Sequence, residues 1–385
     1  MIKMQYRALG KTGFKASLLG FGCMRLPFKD GDGNKGVDRE EAHELIRYAA
    51  ANGINYFDTA MGYHGGESEA ILGEALDGGL REKVWITTKQ PYMHKTHDEI
   101  RQNLESTLKK LRTSYIDMYF MHRIFPGNWE PIQETGHYEL FERFKAEGLI
   151  RHIGFSYHGN YENFSEVVAR YPWELCMVQH NLLDIDNEVT TAGIAKAAEH
   201  GVPLAVMEPL RGGGLAYAPG PVKDKYDSYP VKRTPAEWAF RYLADKPEIS
   251  VVVSGMSSME QLKENLAIFS KPDMKPNSLS QQEKDIIEKA RKGYESIISI
   301  PCTECNYCMP CDSGVPIPLA FSLYNDANRF GHDNQPRRAY WFSKNAGRDA
   351  TNCTGCGECI PKCPQLIDIP AELKIAHKKL DGWAE

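Results

Sequence analysis

The chain has 385 residues, of which 42% are hydrophobic and 25% are charged, and its formal net charge is −5. This profile predicts a globular protein of more than one domain, and the lack of a Lys/Arg-rich run argues against nucleic acid or an anionic membrane as a partner. The longest apolar runs, such as ISVVVSGM, are too short to span a bilayer, and the N-terminus has no apolar signal-peptide core. We therefore expect a cytoplasmic protein.

Short β-rich runs alternate with helical patterns as far as Ser270. The opening MQYRALGKTGFKAS predicts a small hairpin with its turn at Gly10 to Gly13. One helical segment begins at Thr96 and has Glu99 three residues later, which is the spacing of a capping box. Eight strands are predicted, in chain order LLGFGCM, INYFDTA, KVWITTK, YIDMYFMHR, IRHIGFS, LCMVQHN, VPLAVMEP and ISVVVSG.

The strand-helix alternation predicts an α/β protein with a parallel sheet and helical crossovers. Eight such units in about 250 residues favour a (β/α)8 TIM barrel, with the hairpin closing its bottom. The alternative, a doubly wound sheet, would carry a glycine fingerprint after the first strand, and none is present.

The composition changes after Ser270, where KPDMKPNSLS is typical of a linker and a polar helical pattern follows. We expect three regions: a barrel over 1–272, a linker and helix over 273–298, and a cysteine-rich domain over 299–385. The segments PLAFSLYNDANRFG and RRAYWFSK predict helices in this last domain.

Eight of the ten cysteines lie in two C-terminal runs, whereas Cys23 and Cys176 stand alone in apolar surroundings and are expected to be buried. The second run matches the C-x2-C-x2-C-x3-C-P pattern of bacterial ferredoxins, and the last gap of the first run is one residue shorter. The fourth cysteine of such a run ligates the neighbouring cluster. We therefore expect two [4Fe-4S] clusters, one on Cys302, Cys305, Cys308 and Cys363, the other on Cys353, Cys356, Cys359 and Cys311.

Two other interpretations of the cysteines remain open. C-x2-C pairs also suit structural zinc, and iron-sulfur clusters can simply brace a fold. The long helical spacer between the two runs resembles that of α-helical ferredoxins, which occur as domains of larger redox enzymes.

Four ionisable residues follow consecutive strands of the predicted barrel, at the ends where such barrels carry their chemistry: Asp58, Tyr63, Lys89 and His122. Singly, each has a structural alternative, namely a helix cap, a surface phenol, a solvated amine and a core imidazole. Their occurrence together at neighbouring strand ends favours a catalytic site.

Residues from about 5 to 270 resemble the aldo-keto reductases, through FDTAxxY followed by GGESEAILGEAL, the strand-end lysine and the strand-end histidine. The cysteine runs, with CTECNYCMPC and VMEPLRGG, resemble a subgroup that carries a C-terminal 4Fe-4S domain. The resemblance implies an oxidoreductase that reduces or forms a carbonyl with NAD(P)H. Tyr63 would donate the proton, Lys89 would lower its pKa, Asp58 would keep Lys89 charged, and His122 would orient the carbonyl.

The same resemblance implies contacts with the nicotinamide cofactor. Ser156 and Gln179 would bind the carboxamide, and Gly212 and Gly213 would form a phosphate loop or a plain turn. Where many relatives have a stacking tyrosine, this chain has Met207. Further candidates follow the eighth strand, where a helix N-terminus suits phosphate: Ser254, Gly255, Met256, Ser258, Gln261 and Asn265.

Nicotinamides transfer two electrons at once and clusters transfer one, so communication between them would need a flavin as a further cofactor. Three hypotheses follow: a carbonyl reductase acting on a small carbonyl or alcohol, a ferredoxin-linked oxidoreductase, and a non-enzymatic electron-transfer subunit.

Three arginines follow strand ends and either bind an anion or are merely solvated: Arg25, Arg123 and Arg211. Strand-end position also suggests residues that line the substrate pocket: His64, Tyr92, Trp129, Tyr157 and Arg211.

Overall fold

The computed structural model describes residues 4–29, 36–93, 96–302, 304–330 and 334–382. The chain forms two compact units. The first comprises Met1–Leu210 and Glu237–Ser280, and the second comprises Arg211–Ala236 and Gln281–Glu385. The chain thus leaves the first unit after residue 210, contributes 211–236 to the second, and returns.

The first unit contains a two-stranded antiparallel sheet and a closed barrel of eight parallel strands. The hairpin pairs Ala8 with Lys15, and the last barrel strand pairs with the first to close the barrel. The (β/α)8 fold expected from the alternation is confirmed. The strands are β1 (Tyr6–Ala8), β2 (Lys15–Ser17), β3 (Leu19–Gly22), β4 (Tyr56–Asp58), β5 (Trp85–Gln90), β6 (Ile116–Ile124), β7 (Ile150–Tyr157), β8 (Leu175–Gln179), β9 (Leu204–Met207) and β10 (Ile249–Ser254).

Fourteen α-helices occur in the described ranges. The capping box at Thr96 and Glu99 is confirmed at the start of the third, because each side chain binds the backbone N–H of the other. They are α1 (Arg39–Ala51), α2 (Ser68–Ala75), α3 (His97–Lys110), α4 (Trp129–Glu134), α5 (His137–Ala146), α6 (Tyr161–Arg170), α7 (Thr190–Glu199), α8 (Gly220–Asp227), α9 (Pro235–Ala244), α10 (Met259–Phe269), α11 (Gln281–Glu295), α12 (Ile317–Phe330), α13 (Asn334–Asn345) and α14 (Ile369–Leu380).

The interior of the barrel is filled by large side chains, and the hairpin packs against this core at the end where the strands begin. Phe14 stacks on Trp85, the first residue of β5, with ring centroids 4.5 Å apart. The hairpin therefore covers the bottom of the barrel, as expected, and the strand ends face the other way. The core includes Leu9, Ala16, Tyr56, Trp85, Met118, Phe120, Leu175, Met177, Ala205, Val251 and Val253.

The second unit is helical in the part of the chain that the structure describes. Its helix α8 lies on α11: a Cβ added to Gly293 would meet Val222 at 3.1 Å, and Tyr294 donates a hydrogen bond to the carbonyl of Tyr217. Six cysteines of the two runs pack against its apolar core, which includes Ile300, Val315, Ile317, Phe321, Tyr340, Ile369, Leu373 and Leu380. No described helix is both long and apolar enough to cross a membrane.

Candidate functional site

The structure brings three of the four strand-end residues into direct hydrogen-bonding contact. The Nζ atom of Lys89 donates to Oδ1 of Asp58 at 2.6 Å, to Oη of Tyr63 at 3.3 Å and to the carbonyl of Thr59 at 2.7 Å. An ammonium group has three donors, so all three are used. The ring of His122 lies 6.1 Å from that of Tyr63, edge to face, and completes the group.

The position of each side chain follows from the barrel. Asp58 ends β4 and Lys89 lies in β5, and the parallel register pairs Asp58 with Thr87, two residues before the lysine. Tyr63 lies in a short turn of 3-10 helix after β4. His122 lies in β6, the next strand around the barrel. Neighbouring strand ends therefore deliver all four groups to one place.

The charges at the site are coupled. Burial opposes the charge on Lys89, but Asp58 and Tyr63 outweigh it, so the pKa of Lys89 lies above its ordinary value. Burial raises the pKa of the Tyr63 phenol more strongly than Lys89 lowers it. Lys89 thus lowers the pKa of Tyr63, as expected from the sequence, but the desolvation of the phenol outweighs this effect. At neutral pH, Tyr63 therefore carries its proton.

His122 is uncharged at neutral pH. Burial, followed by the charges of Lys89, His158 and Arg123, lowers the pKa of His122 to about 3. A neutral imidazole has one N–H donor and one acceptor nitrogen. It can therefore donate a hydrogen bond to a carbonyl oxygen without competing with Tyr63 as an acid.

A β-bulge lies at the end of β6. The register pairs Met121 with Phe155 but Ile124 with Tyr157, so β6 has one residue more than β7 over this stretch. Within it, Arg123 has a positive φ of 59°. Bulges re-aim side chains and are frequent beside active sites. The sequence contains no glycine at this position, so nothing in the pattern signalled the bulge.

The bulge connects to a candidate cofactor residue. The buried Ser156 accepts a hydrogen bond at its Oγ from the backbone N–H of Arg123, at 2.8 Å. Among the described residues the Ser156 hydroxyl donates to no other group, so its proton is available to a ligand. Gln179 donates from Nε2 to Asp184 at 3.2 Å and keeps its carbonyl oxygen as an acceptor. One donor and one acceptor are what a carboxamide requires.

The segment after β10 forms the N-terminal end of α10. Ser258 caps this helix through the N–H of Gln261, and the Gln261 side chain in turn binds the N–H of Ser257. Ser254 accepts from Asn265, and Met256 is buried. A Cβ on Gly255 would lie 2.9 Å from the side chain of Arg25, so this arginine lies along the loop.

Gly212 and Gly213 lie in the second unit, whereas the other cofactor candidates lie in the first. Both glycines have positive φ, and a Cβ on Gly212 would fall 1.0 Å from Oε1 of Gln335 in α13. Arg211, next to them, pairs with Asp326 of α12 at 2.7 Å. This loop therefore contacts α12 and α13.

Other pocket candidates lie at the strand ends of the barrel. His64 has a positive φ and accepts from the N–H of Leu26. Tyr92 meets Phe125 edge to face, and Trp129 begins α4. The buried Tyr157 donates to the carbonyl of Asn160 at 2.9 Å.

Residues behind the site were missed by sequence reasoning. Glu69 of α2 is fully buried and accepts hydrogen bonds from Thr88 of β5 at 2.7 Å and from Thr107 of α3 at 3.0 Å. Ser68 donates to the carbonyl of Cys23. These contacts tie β5, and with it Lys89, to two helices. Their only sequence signal is that GGESEAILGEAL follows the tyrosine.

The C-terminal cysteines line two cavities in the second unit. In the described ranges, no group of three or more His, Cys, Asp or Glu side chains is arranged to hold a single metal ion. The smaller cavity is lined by Cys302, Cys305, Cys308 and Cys363, and the larger by Cys308, Cys311, Cys353, Cys356 and Cys359.

The electrostatic neighbours of Cys302 and Cys359 follow this grouping, whereas Cys308 is influenced by Cys302 and Cys305 and also by Cys359 of the larger cavity. Burial raises the pKa of Cys302, and the nearby Cys305 and Cys363 raise it further. Burial also raises the pKa of Cys359, with contributions from Cys353, Cys356 and Cys311. Cys23 and Cys176 are buried in the first unit, as expected.

Two family models match the chain. The model of the Aldo/keto reductase family matches residues 18–287, and the model of a 4Fe-4S dicluster domain matches residues 301–367. The first match includes all four strand-end residues, and the second includes all eight clustered cysteines.

Individual relatives are moderately similar. Aldo-keto reductase YhdN of Bacillus subtilis is 32% identical over 202 residues, covering 50% of this chain and 59% of that protein. The chain thus matches about three fifths of that relative's length. The NADH-specific methylglyoxal reductase of Escherichia coli is 26% identical, covering 67% of this chain and 91% of that protein. Among solved structures, aldo-keto reductase AKR11C1 from Bacillus halodurans has a TM-score of 0.63 and 29% identity, covering 74% and 96%.

Proposed function

Because the chain belongs to the aldo/keto reductase family and carries a 4Fe-4S domain, we propose that it is an oxidoreductase that reduces a small carbonyl compound with NAD(P)H and holds two [4Fe-4S] clusters. The observation that carries the proposal is the buried contact of Lys89 with both Asp58 and Tyr63. It places a charged amine beside a protonated phenol, next to a neutral imidazole.

In this proposal Tyr63 is the proton donor. A carbonyl that accepts a hydride develops negative charge on its oxygen, and a donor positioned at that oxygen lowers the barrier. Lys89 stabilises the tyrosinate that remains, and Asp58 keeps the lysine charged in the protein interior. His122 donates a hydrogen bond to the same oxygen and thereby orients the substrate.

The residues present fit a nicotinamide. Ser156 offers a hydroxyl donor and Gln179 an amide acceptor, and the N-terminus of α10 offers backbone N–H groups and the Ser258 cap for a phosphate. A bound nicotinamide supplies the hydride. The relative named as NADH-specific supports a nicotinamide in this chain.

The cysteines fit two clusters. Four line the smaller cavity, and four others line the larger one together with Cys308, which is the crossed ligand set expected from a dicluster ferredoxin pattern. Clusters of this type supply single-electron transfer, so an external carrier such as ferredoxin is a proposed partner.

The test combines cofactor analysis with kinetics. Protein purified without oxygen should hold about eight iron and eight sulfide ions per chain, and it should oxidise NAD(P)H in the presence of aldehydes. Tyr63→Phe should lower kcat by about 100-fold or more, whereas Tyr161→Phe, at the start of α6, should leave it unchanged. Undiminished turnover in Tyr63→Phe would remove the proton-donor role.

A ferredoxin-linked reaction is the second candidate, favoured by the two cysteine-lined cavities. It predicts reduction of substrate by chemically reduced ferredoxin without NAD(P)H, and bound flavin detectable by its absorbance. Absence of both would leave the carbonyl reductase as the better account.

A further inference from the structure

Only one of the three arginines that follow strand ends lacks an acidic partner among the described residues. Arg25 pairs with Glu208 at 3.5 Å, and Arg211 pairs with Asp326 at 2.7 Å. Arg123 makes no ion pair within the described ranges. It is the residue that follows His122 in the chain. Arg123 is exposed, so its guanidinium is accessible to an anion that approaches the candidate catalytic group.

The backbone holds this arginine in an unusual conformation. Its φ of 59° is unfavourable for a residue with a side chain. Two side chains fix it: Ser156 accepts from the N–H of Arg123 at 2.8 Å, and Asn128 donates to its carbonyl at 2.9 Å. Both backbone polar groups of Arg123, the N–H and the carbonyl, are therefore held by hydrogen bonds.

The bulge determines where the arginine points. In a regular strand, successive side chains face opposite sides of the sheet, so residues 122 and 123 would point apart. The extra residue in β6 breaks this alternation. The guanidinium carbon of Arg123 lies 6.0 Å from the ring of Phe125, which Tyr92 also contacts, and its charge acts on His122.

The nearest neighbouring charges do not neutralise it. His158 also acts electrostatically on His122, and it pairs with Glu188 at 3.4 Å. The carboxylate of Glu188 thus contacts His158, and that of Asp58 is paired with Lys89 at 2.6 Å, so neither forms an ion pair with Arg123.

We propose that Arg123 binds an anionic group of the substrate, a carboxylate or a phosphate, and so directs a charged carbonyl compound to Tyr63 and His122. This inference rests on the proposed carbonyl reductase function. Guanidinium forms two parallel hydrogen bonds to either anion, and the ring of Phe125 lies beside it. Arg123 is thus a specificity-determining residue.

The experiment compares matched substrates that differ in charge. Pyruvate is paired with methyl pyruvate, and glyceraldehyde 3-phosphate with glyceraldehyde. The variants are Arg123→Gln, Arg123→Lys and Arg123→Gly, with Arg170→Gln on the exposed end of α6 as the control for net charge. Glycine adopts the positive φ without strain, so Arg123→Gly should fold at least as stably as the wild type.

For at least one pair, the wild type should prefer the anionic member, and Arg123→Gln and Arg123→Gly should lower its kcat/KM by about ten- to hundredfold. The kcat/KM for the uncharged member should change less than about threefold. Arg123→Lys should retain part of the preference for the anionic member, and Arg170→Gln should retain all of it. The pair that shows this effect identifies the anionic group that Arg123 binds as a carboxylate or a phosphate. Equal losses for charged and uncharged members, or no loss, would overturn the inference.

A binding measurement keeps this result separate from the proposed function. Calorimetry with oxamate and with inorganic phosphate reports anion binding without turnover. An Arg123-dependent signal supports the inference even if no carbonyl is reduced, in which case the proposed function fails alone. Turnover of uncharged aldehydes with no Arg123-dependent anion effect leaves the proposed function standing and refutes the role of Arg123.

Discussion

The ammonium group of Lys89 lies 2.6 Å from a carboxylate oxygen of Asp58, and the two residues are 1% and 4% exposed. Removing one partner of such a pair leaves an uncompensated buried charge, whereas removing both need not be costly. The pair therefore couples the stability of the barrel to its chemistry.

Asp58→Asn should lower the free energy of unfolding by about 3–5 kcal/mol, because Lys89 is left buried without its counter-charge. The double variant Asp58→Asn/Lys89→Met should recover much of that loss but remain inactive. Chemical denaturation and NAD(P)H oxidation measure the two effects. Additive losses of stability in the double variant would show that the two residues are not coupled.

The imidazole of His122 makes stability depend on pH. Its pKa is about 3 in the folded chain against an ordinary value of 6.5, so below 6.5 the unfolded chain takes up a proton that the folded chain refuses. Stability contributed by neutral His122 is present above pH 6.5 and is lost as the pH falls toward 3. Relative to His122→Asn, the wild type should lose unfolding free energy between pH 6.5 and 4.5. Parallel curves for the two proteins would contradict this.

Cysteine substitutions should remove the clusters separately. Cys305→Ser, in the smaller cavity, and Cys356→Ser, in the larger one, should each lower the iron content from about eight to about four per chain. Their electron paramagnetic resonance spectra should lose different signals. Cys176→Ala, buried in the barrel, should keep all the iron. If either substitution removed all iron, the clusters would not be independent.

Ser156 is predicted to link cofactor binding to the position of His122. Ser156→Ala removes the acceptor for the N–H of Arg123 and the donor proposed for the carboxamide. It should raise the KM for NAD(P)H and lower kcat, each by about fivefold or more, given about 1 kcal/mol for one hydrogen bond. The control is Ser250→Ala, near the start of β10, which loses only a bond to the carbonyl of Ala8. A change in KM alone would limit Ser156 to cofactor binding.

Much of the fold is readable from the sequence because its signals are local. Strand composition, helical periodicity and the capping box at Thr96 act within a few residues, and the strand ends then place Asp58, Lys89 and His122 side by side. The crossed grouping of the cysteines around the two cavities is expected from the ferredoxin spacing, which the second run matches in full.

The remaining features depend on packing that no local pattern encodes. Helix α4 contains a proline and has only six residues, and α8 begins with Gly220 and Pro221. The sequences of both segments are therefore typical of loops. The bulge at Arg123 needs a positive φ without a glycine to signal it. The raised pKa of Tyr63 depends on burial, which the sequence analysis could not weigh against Lys89.

The segment 211–236 leaves from strand β9 but builds part of the second unit, where Val222 and Tyr226 are buried and α8 lies on α11. A polypeptide shortened at Ser280 would keep α8 and lose α11, so these apolar side chains would face water. The barrel therefore cannot be separated from the second unit by a single cut, and a graft of the cysteine-rich unit onto another barrel would have to include the segment 211–236.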